Sequence, residues 1–346
     1  MSAWTRCVDE DRACHTALAV ATRGVAVESI HYGSIAAVDS KGRLIAWAGD
    51  PAALTFTRSA CKPLQILPLL AHDGVDRFAF TPEEIALMCA SHSGEPKHVD
   101  AVLGILSKIR CSRRDLQCGV HVPLLYQALG RQPKAGEAFN ALHHNCSGKH
   151  AAMLALARLL EAPIEDYLSV EHPVQQRILA AIASMADVPL GDLVVGIDGC
   201  SAPNAAIPLR ALALAYARLA GGEGMHPEVR GAVFSAIAAH PGMVSGSGRF
   251  DHALTQSGRG KWVSKGGAEG VEGVGITGRG GWGIAIKIAD GTPRALQVVT
   301  IEVLRQLGVL KPPIAKVLIP YRRVSLPNAR GVETGEVMPV FKLRKL

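Results

Sequence analysis

The stretch TRSACKPLQ, residues 57–65, sets Ser59 three residues before Lys62, with Pro63 directly behind. A proline has no N–H and is tolerated in the first turn of a helix, so Pro63 predicts a helix start near Ser59. Ser59 then sits at the positive end of the helix dipole, where a developing alkoxide is favoured. Side chains at i and i+3 share a face, which brings Lys62 within reach. That is the layout of a serine nucleophile with an amine base. A lysine at its ordinary pKa of about 10.4 is protonated at neutral pH and is no base; burial or a second cation has to lower it. Lys265, in SKGGAEG, is the candidate second cation, followed by glycines where backbone can approach a substrate. Ser91, in CASHSGE at the end of a helix, is a second hydroxyl able to relay protons, so the chain offers two serine–lysine pairs. The same residues also read as structure. A serine at a helix start is ordinarily a cap and a lysine three residues on ordinarily solvated, and the spacing alone does not separate the readings.

A second constellation involves sulfur. HHNCSGKHAAM places Cys146 and Lys149 where a helix begins, and GIDGCSAPN places Asp198 and Cys200 just after a strand expected to be buried. Helix starts and strand ends are where α/β folds hold ligands, and a helix N-terminus lowers a thiol pKa. Cys, His and Asp are ordinary zinc ligands, whereas a lysine must first lose its proton. On residue types alone, two buried inert thiols are the better reading.

The elements that must position these groups are legible as patterns. TALAVATRGVAVESIHYGSIAAVDSKGRLIAWAG alternates and is rich in β-branched residues, with DSKG at 39–42 as a hairpin turn. From about residue 59 to 240 the pattern is helical. TPEEIALMCAS opens with Thr81 as N-cap, Pro82 at the first position and Glu84 closing a capping box. EPKHVDAVLGILSKI, GKHAAMLALARLL, HPVQQRILAAIASMA, PLRALALAYARLA and HPEVRGAVFSAIAAH carry apolar residues at helical spacing. DLVVGID interrupts them as a strand. From 260 strands return, followed by the amphipathic helix PRALQVVTIEVLRQL. Strands at both ends predict an α/β fold of the α+β type. Its mostly antiparallel sheet is built from residues 16–58 and 241–340 with helices packed on it, and a mainly helical region at 59–240 carries the sulfur motif.

Composition excludes several classes. With 48% hydrophobic and 19% charged residues in 346, the chain is an ordinary globular one. No apolar run approaches the roughly 18 residues that span a bilayer, and MSAWTRCVDEDRACH has acidic residues where a leader would be apolar. Eight cysteines without a paired framework suit a reduced compartment, so a soluble cytoplasmic protein is expected, with no membrane partner. The net charge of +7 and pI near 9.0 come from dispersed basic residues, and only 5% of residues are aromatic, so no nucleic-acid partner is expected.

Taken in order, RSACKPLQ, SHSGE, HHNCSGKHAAML, GIDGCSAPN, SGSGRFD and KGGAEGV resemble the rhizobial-type (class 3) L-asparaginases, over about residues 16 to 340. The resemblance implies an amidohydrolase that turns L-asparagine and water into L-aspartate and ammonia. It also implies a fold like the serine β-lactamases and serine-dependent glutaminases, and a homodimer. It makes Ser59 the nucleophile, Lys62 its base, and Ser91 with Lys265 the second pair. Cys146, Lys149 and Cys200 become ligands of a zinc ion, with Asp198 adjacent, that tunes substrate binding without generating the nucleophile. The backbone N–H of Ser59 and one from the glycines after Lys265, Gly267 among them, are the oxyanion-hole candidates. By charge, Arg58, Arg249, His92 and Glu95 are candidates to hold the substrate's α-carboxylate and α-amine, and Asp198 is counted with them among the substrate-binding candidates.

Three alternatives stay open at this point. A penicillin-recognising serine hydrolase also uses S-x-x-K, but its S-D-N and K-T-G companions are absent. A glutaminase differs by one methylene of substrate, worth only about 1–3 kcal/mol of discrimination. A zinc- or thiol-binding protein without chemistry is the non-enzyme reading.

Overall fold

The structure, a computed structural model, describes residues 14–221, 227–278 and 280–346. The acidic lead on which the absence of a leader was read, residues 1–13, lies outside them. The chain enters through strands β1 (Thr16–Arg23), β2 (Ala26–Asp39) and β3 (Leu44–Ala48), and the turn at 39–42 closes as expected, with Gly42 at φ +77°. A short β4 (Leu54–Phe56) follows. The helical stretch then runs to β5 (Val194–Ile197) and β6 (Pro203–Pro208). The return strands are β7 (Trp262–Gly267), β8 (Val271–Ile276) and β9 (Trp282–Ile288), then β10 (Val324–Pro327), β11 (Glu333–Pro339) and β12 (Arg344–Lys345).

The main sheet runs β10-β11-β1-β2-β9-β8-β7, with β3 paired to both β2 and β12. Its pairings are antiparallel, and strands from the two ends of the chain meet where Ile35 of β2 faces Ile286 of β9. Both faces are covered. On β2, Ala36 and Val38 belong to a core shared with the helices, while Ile35 and Ala37 belong to a second core beneath the helix Pro293–Gln306. That is why β2 is apolar at consecutive positions rather than at alternate ones. The helix Leu209–Leu219 lies so close to the sheet that a Cβ on Gly283 would stand 1.8 Å from the Ala213 carbonyl, and one on Gly273 would stand 2.1 Å from the Tyr216 ring. Glycine is required there by contact.

Two expectations need correction. β5 is not a buried strand: it is an edge of the small sheet β4-β6-β5, and Val194 and Ile197 are exposed. The buried strand is the central β6. The helix behind Ser59 starts later than expected. Arg58–Cys61 form a 3₁₀ turn and the α-helix begins at Lys62, with Pro63 in its first turn. A proline limits how far a helix extends toward its own N-terminus without fixing the first residue, and here the start is three residues on. The Thr81–Glu84 capping box forms as expected. Among the described residues no helix is long and apolar enough to cross a membrane.

Candidate active site

Ser59 stands on a turn held from three sides. Thr57 donates from both its N–H (3.0 Å) and its hydroxyl (2.9 Å) to the Ala205 carbonyl of β6. The Arg58 N–H reaches the Asn204 side-chain oxygen at 3.2 Å. From the helix below, the Tyr216 hydroxyl donates to the Ala60 carbonyl at 2.6 Å. Between these anchors Arg58 adopts φ +47°, the left-handed region that a non-glycine residue enters only at a cost. Its guanidinium is fixed by Asp198, with Nε and Nη2 each 2.9 Å from one carboxylate oxygen. The half-buried Ser59 therefore projects from a constrained turn into a cavity of about 560 Å³. Its hydroxyl makes no hydrogen bond among the described residues, and its backbone N–H, in the first turn, has no intrahelical acceptor.

Lys62 is buried, and its hydrogen-bond partners among the described residues do not include Ser59. Its Nζ donates to the Ala90 carbonyl (2.5 Å), the Ser91 hydroxyl (3.0 Å) and the Cys146 sulfur (3.1 Å). The hydrogen-bonded serine–lysine pair is thus Ser91–Lys62, where the spacing had paired Ser59 with Lys62 and the family resemblance had paired Ser91 with Lys265. Ser91 also lines the cavity. Lys265, on β7 and 1% exposed, donates to the Gly266 carbonyl (2.5 Å) and stands 3.6 Å from an Asp251 oxygen. Its pKa is pushed down to about 8: burial is the largest cause, Asp251 and Glu272 pull the other way, and the positive charges of Lys62 and Arg249 add to the depression. The lysine poised to lose a proton near neutral pH is therefore Lys265, with Lys62 as its neighbouring cation.

Of the remaining candidates, Arg249 and Gly267 line the cavity. Arg249 is oriented by Nη1, which donates to the Ser91 carbonyl. A Cβ on Gly267 would come within 3.1 Å of the Thr57 carbonyl and 3.2 Å of the Ala60 nitrogen, so β7 presses directly on the Ser59 turn. Arg58 and Asp198 line a separate hollow of about 420 Å³ with Asn204 and Lys287. His92 and Glu95 do not line the Ser59 cavity. His92 is fully buried and accepts the Gly94 N–H at Nδ1, which leaves Nε2 to donate to Ser147 at 2.8 Å. Burial, then the charges of His98 and Lys62, hold its pKa well below the ordinary value, so it is a neutral brace. Glu95 caps the helix Pro96–Lys108, pairs with Lys97 at 3.0 Å and accepts the Ser247 N–H at 2.8 Å, tying down the loop that carries Arg249. Sequence reading passed over Asp251 and Glu272, both of which line the cavity. The available signal was a glutamate inside the otherwise apolar VEGVGI, all of it buried.

The sulfur constellation assembles behind Lys62. Cys146 precedes the helix Ser147–Leu159, Lys149 sits in its first turn, and Cys200 arrives from the turn after β5. All three are buried, with Lys149 Nζ 2.8 Å from the Cys200 sulfur. The interaction between the two thiols lowers the pKa of Cys146 well below the usual thiol range and raises that of Cys200. Burial works against the Lys149 ammonium, but the charges on Cys146 and Cys200 outweigh it and raise its pKa. Among the described residues no group of three or more His, Cys, Asp and Glu side chains is placed to hold a metal. The two sulfurs and one amine do converge, and such a soft donor set fits zinc once the amine gives up its proton.

A serine hydroxyl in a cavity, a buried lysine with a lowered pKa and a backbone N–H in the first turn beside the serine are parts that acyl transfer requires. The L-asparaginase II family model matches residues 19–339, and the chain belongs to that family, which supports an amidohydrolase. Among solved structures the chain is similar to Mglu in its native form, at 16% identity and TM-score 0.44, covering 81% of this chain and 66% of Mglu. It is also similar to Bacillus glutaminase, at 11% identity and TM-score 0.38, covering 80% of this chain and 91% of that one. The chain thus spans slightly less than two thirds of Mglu. Among curated proteins none matches the sequence significantly.

Proposed function

We propose that the chain hydrolyses L-asparagine to L-aspartate and ammonia through an acyl-enzyme on Ser59. The observation that carries this reading is the cavity in which the unbonded Ser59 hydroxyl and the lysine-bound Ser91 meet, with Lys265, its pKa near 8, just behind the wall. Ser59 Oγ attacks the side-chain amide carbon as its proton passes toward the Lys265 amine. The N–H groups of Ser59 and Gly267 stabilise the oxyanion. Protonation of the nitrogen through the Ser91–Lys62 pair releases ammonia, and water then cleaves the ester by the same groups in reverse. Cys146, Lys149 and Cys200 would hold the zinc ion, whose charge beside Lys62 would tune substrate binding. The family resemblance in the motifs further supports a homodimer, checked by light scattering of the purified protein. Cys61, Cys89, Cys111, Cys118, Cys146 and Cys200 are free thiols, which supports a cytoplasmic setting.

The test is ammonia release from L-asparagine and L-glutamine by wild type and Ser59→Ala. Wild type should turn over asparagine with the larger kcat/KM, and Ser59→Ala should lose at least about 1,000-fold. Faster glutamine turnover moves the substrate to the homologue. No release from either amide removes the amidohydrolase reading. Zinc is tested separately by metal analysis of the purified protein, with wild type bound and Cys200→Ala depleted.

A further inference from the structure

The cavity wall contains a carboxylate that the reaction above leaves unused. Glu272 lies in the middle of β8, 1% exposed, and neither of its carboxylate oxygens has a hydrogen-bond partner. The nearby Ser264 hydroxyl, on the adjoining strand, is unpartnered too. Directly across the ladder is Gly266. A Cβ there would stand 3.0 Å from an Asp251 oxygen and 3.3 Å from a Glu272 oxygen, so the glycine opens the space in which the two carboxylates meet. Asp251 is supplied with partners, the Gly266 N–H at 3.2 Å and the Lys265 ammonium at 3.6 Å; Glu272 is not.

Burying a carboxylate without a donor is costly, and such groups are found paired. Burial, followed by the Asp251 charge, holds the Glu272 pKa well above the usual carboxylate range. A buried carboxylate without a donor is a ready partner for an arriving cation. The cavity already presents a cation, Arg249, and a nucleophile, Ser59. A third, anionic point completes the recognition of a zwitterion that also carries an amide.

We propose that Glu272, with Asp251 beside it, seats the α-ammonium group of the substrate and so makes the cavity select amino-acid amides over simple amides. This rests on the amidohydrolase reading. It adds a specificity residue to that reading, one that leaves the bond-breaking steps to Ser59 and the lysines. Among the described residues neither Glu272 oxygen has a hydrogen-bond partner, so Glu272→Gln replaces the acid with an uncharged side chain of the same shape.

The experiment compares L-asparagine with succinamate, the same amide without the α-amino group. Wild type should favour asparagine by about 100-fold in kcat/KM, chiefly through KM. In Glu272→Gln the preference should collapse to within about 5-fold. An unchanged preference in the variant overturns the proposal, because a purely structural role would slow both substrates alike. A second measurement uses wild type alone: calorimetric binding of L-aspartate against succinate, expected to favour aspartate by at least about 10-fold. Equal affinities, or no binding of either, overturn the proposal even if the variant does not fold. If wild type cleaves no amide at all, the amidohydrolase reading falls, while the aspartate-to-succinate ratio still decides whether an ammonium seat exists.

Discussion

Replacing Lys265 by methionine separates a catalytic amine from a structural one. The side chain is fully buried, and its pKa falls from 10.5 to about 8 under burial, opposed by Asp251 and Glu272 and assisted by Lys62 and Arg249. The gap corresponds to about 3 kcal/mol. The sign follows from proton linkage. Between pH 8 and 10.5 the unfolded chain binds a proton at this position that the folded chain does not, so stability rises with pH across that window. Below pH 8 the buried ammonium is a standing cost, and it is lifted as the pH climbs toward 10.5. Denaturant unfolding of wild type and Lys265→Met at pH 7, 8, 9 and 10 should show wild type gaining up to about 3 kcal/mol on the variant. Activity gives the matching curve. The kcat/KM of wild type should climb about tenfold per pH unit up to pH 8 and level off above it, while Lys265→Met is nearly inactive throughout. Parallel stability curves over pH 7–10, or an activity rise centred near pH 10, would refute the assignment of Lys265 as the proton acceptor.

Three further outcomes follow from the geometry around Ser59. Because Arg58 sits at φ +47°, Arg58→Gly should be more stable than Arg58→Ala by about 1 kcal/mol in urea unfolding, although both lose the ion pair with Asp198; equal midpoints would mean the turn is unstrained. Gly267→Ala should keep its melting temperature within a few degrees yet lose about 10–100-fold in turnover, because its methyl group pushes on the turn carrying Ser59. Gly273→Ala should cost about 1–3 kcal/mol in thermal unfolding, since its Cβ would meet the Tyr216 ring at 2.1 Å.

Local chemistry was legible where neighbouring residues alone decide it. Thr81, Pro82 and Glu84 state a helix start in four letters, and the structure forms that capping box. Asp39 and Gly42 state a turn, and the backbone closes there. A sheet assembled from both termini followed from where the β-branched runs lie, and β2 and β9 do pair. What local pattern cannot carry is which partner packing delivers. Lys62 and Ser91 lie 29 residues apart, and their hydrogen bond depends on how the helix Pro82–Met88 docks, so spacing favoured the nearer Ser59. The left-handed Arg58 is imposed by Asn204, Asp198 and β6, all more than a hundred residues away. β5 was misjudged because VVGI reads as apolar whether it lies in the middle of a sheet or at its edge. Glu272 was passed over because a glutamate between Val271 and Gly273 looks like a solvent-facing strand position, whereas β8 is covered on both faces.

The central claim is that Ser59 carries the acyl group. Wild type mixed with L-asparagine, quenched in acid within the first turnovers and digested, should yield the peptide containing Ser59 with the mass of one added aspartyl group. Ser59→Ala should yield none. An aspartyl group on the Ser91 peptide instead, or asparagine turnover with no labelled serine at all, would contradict the account.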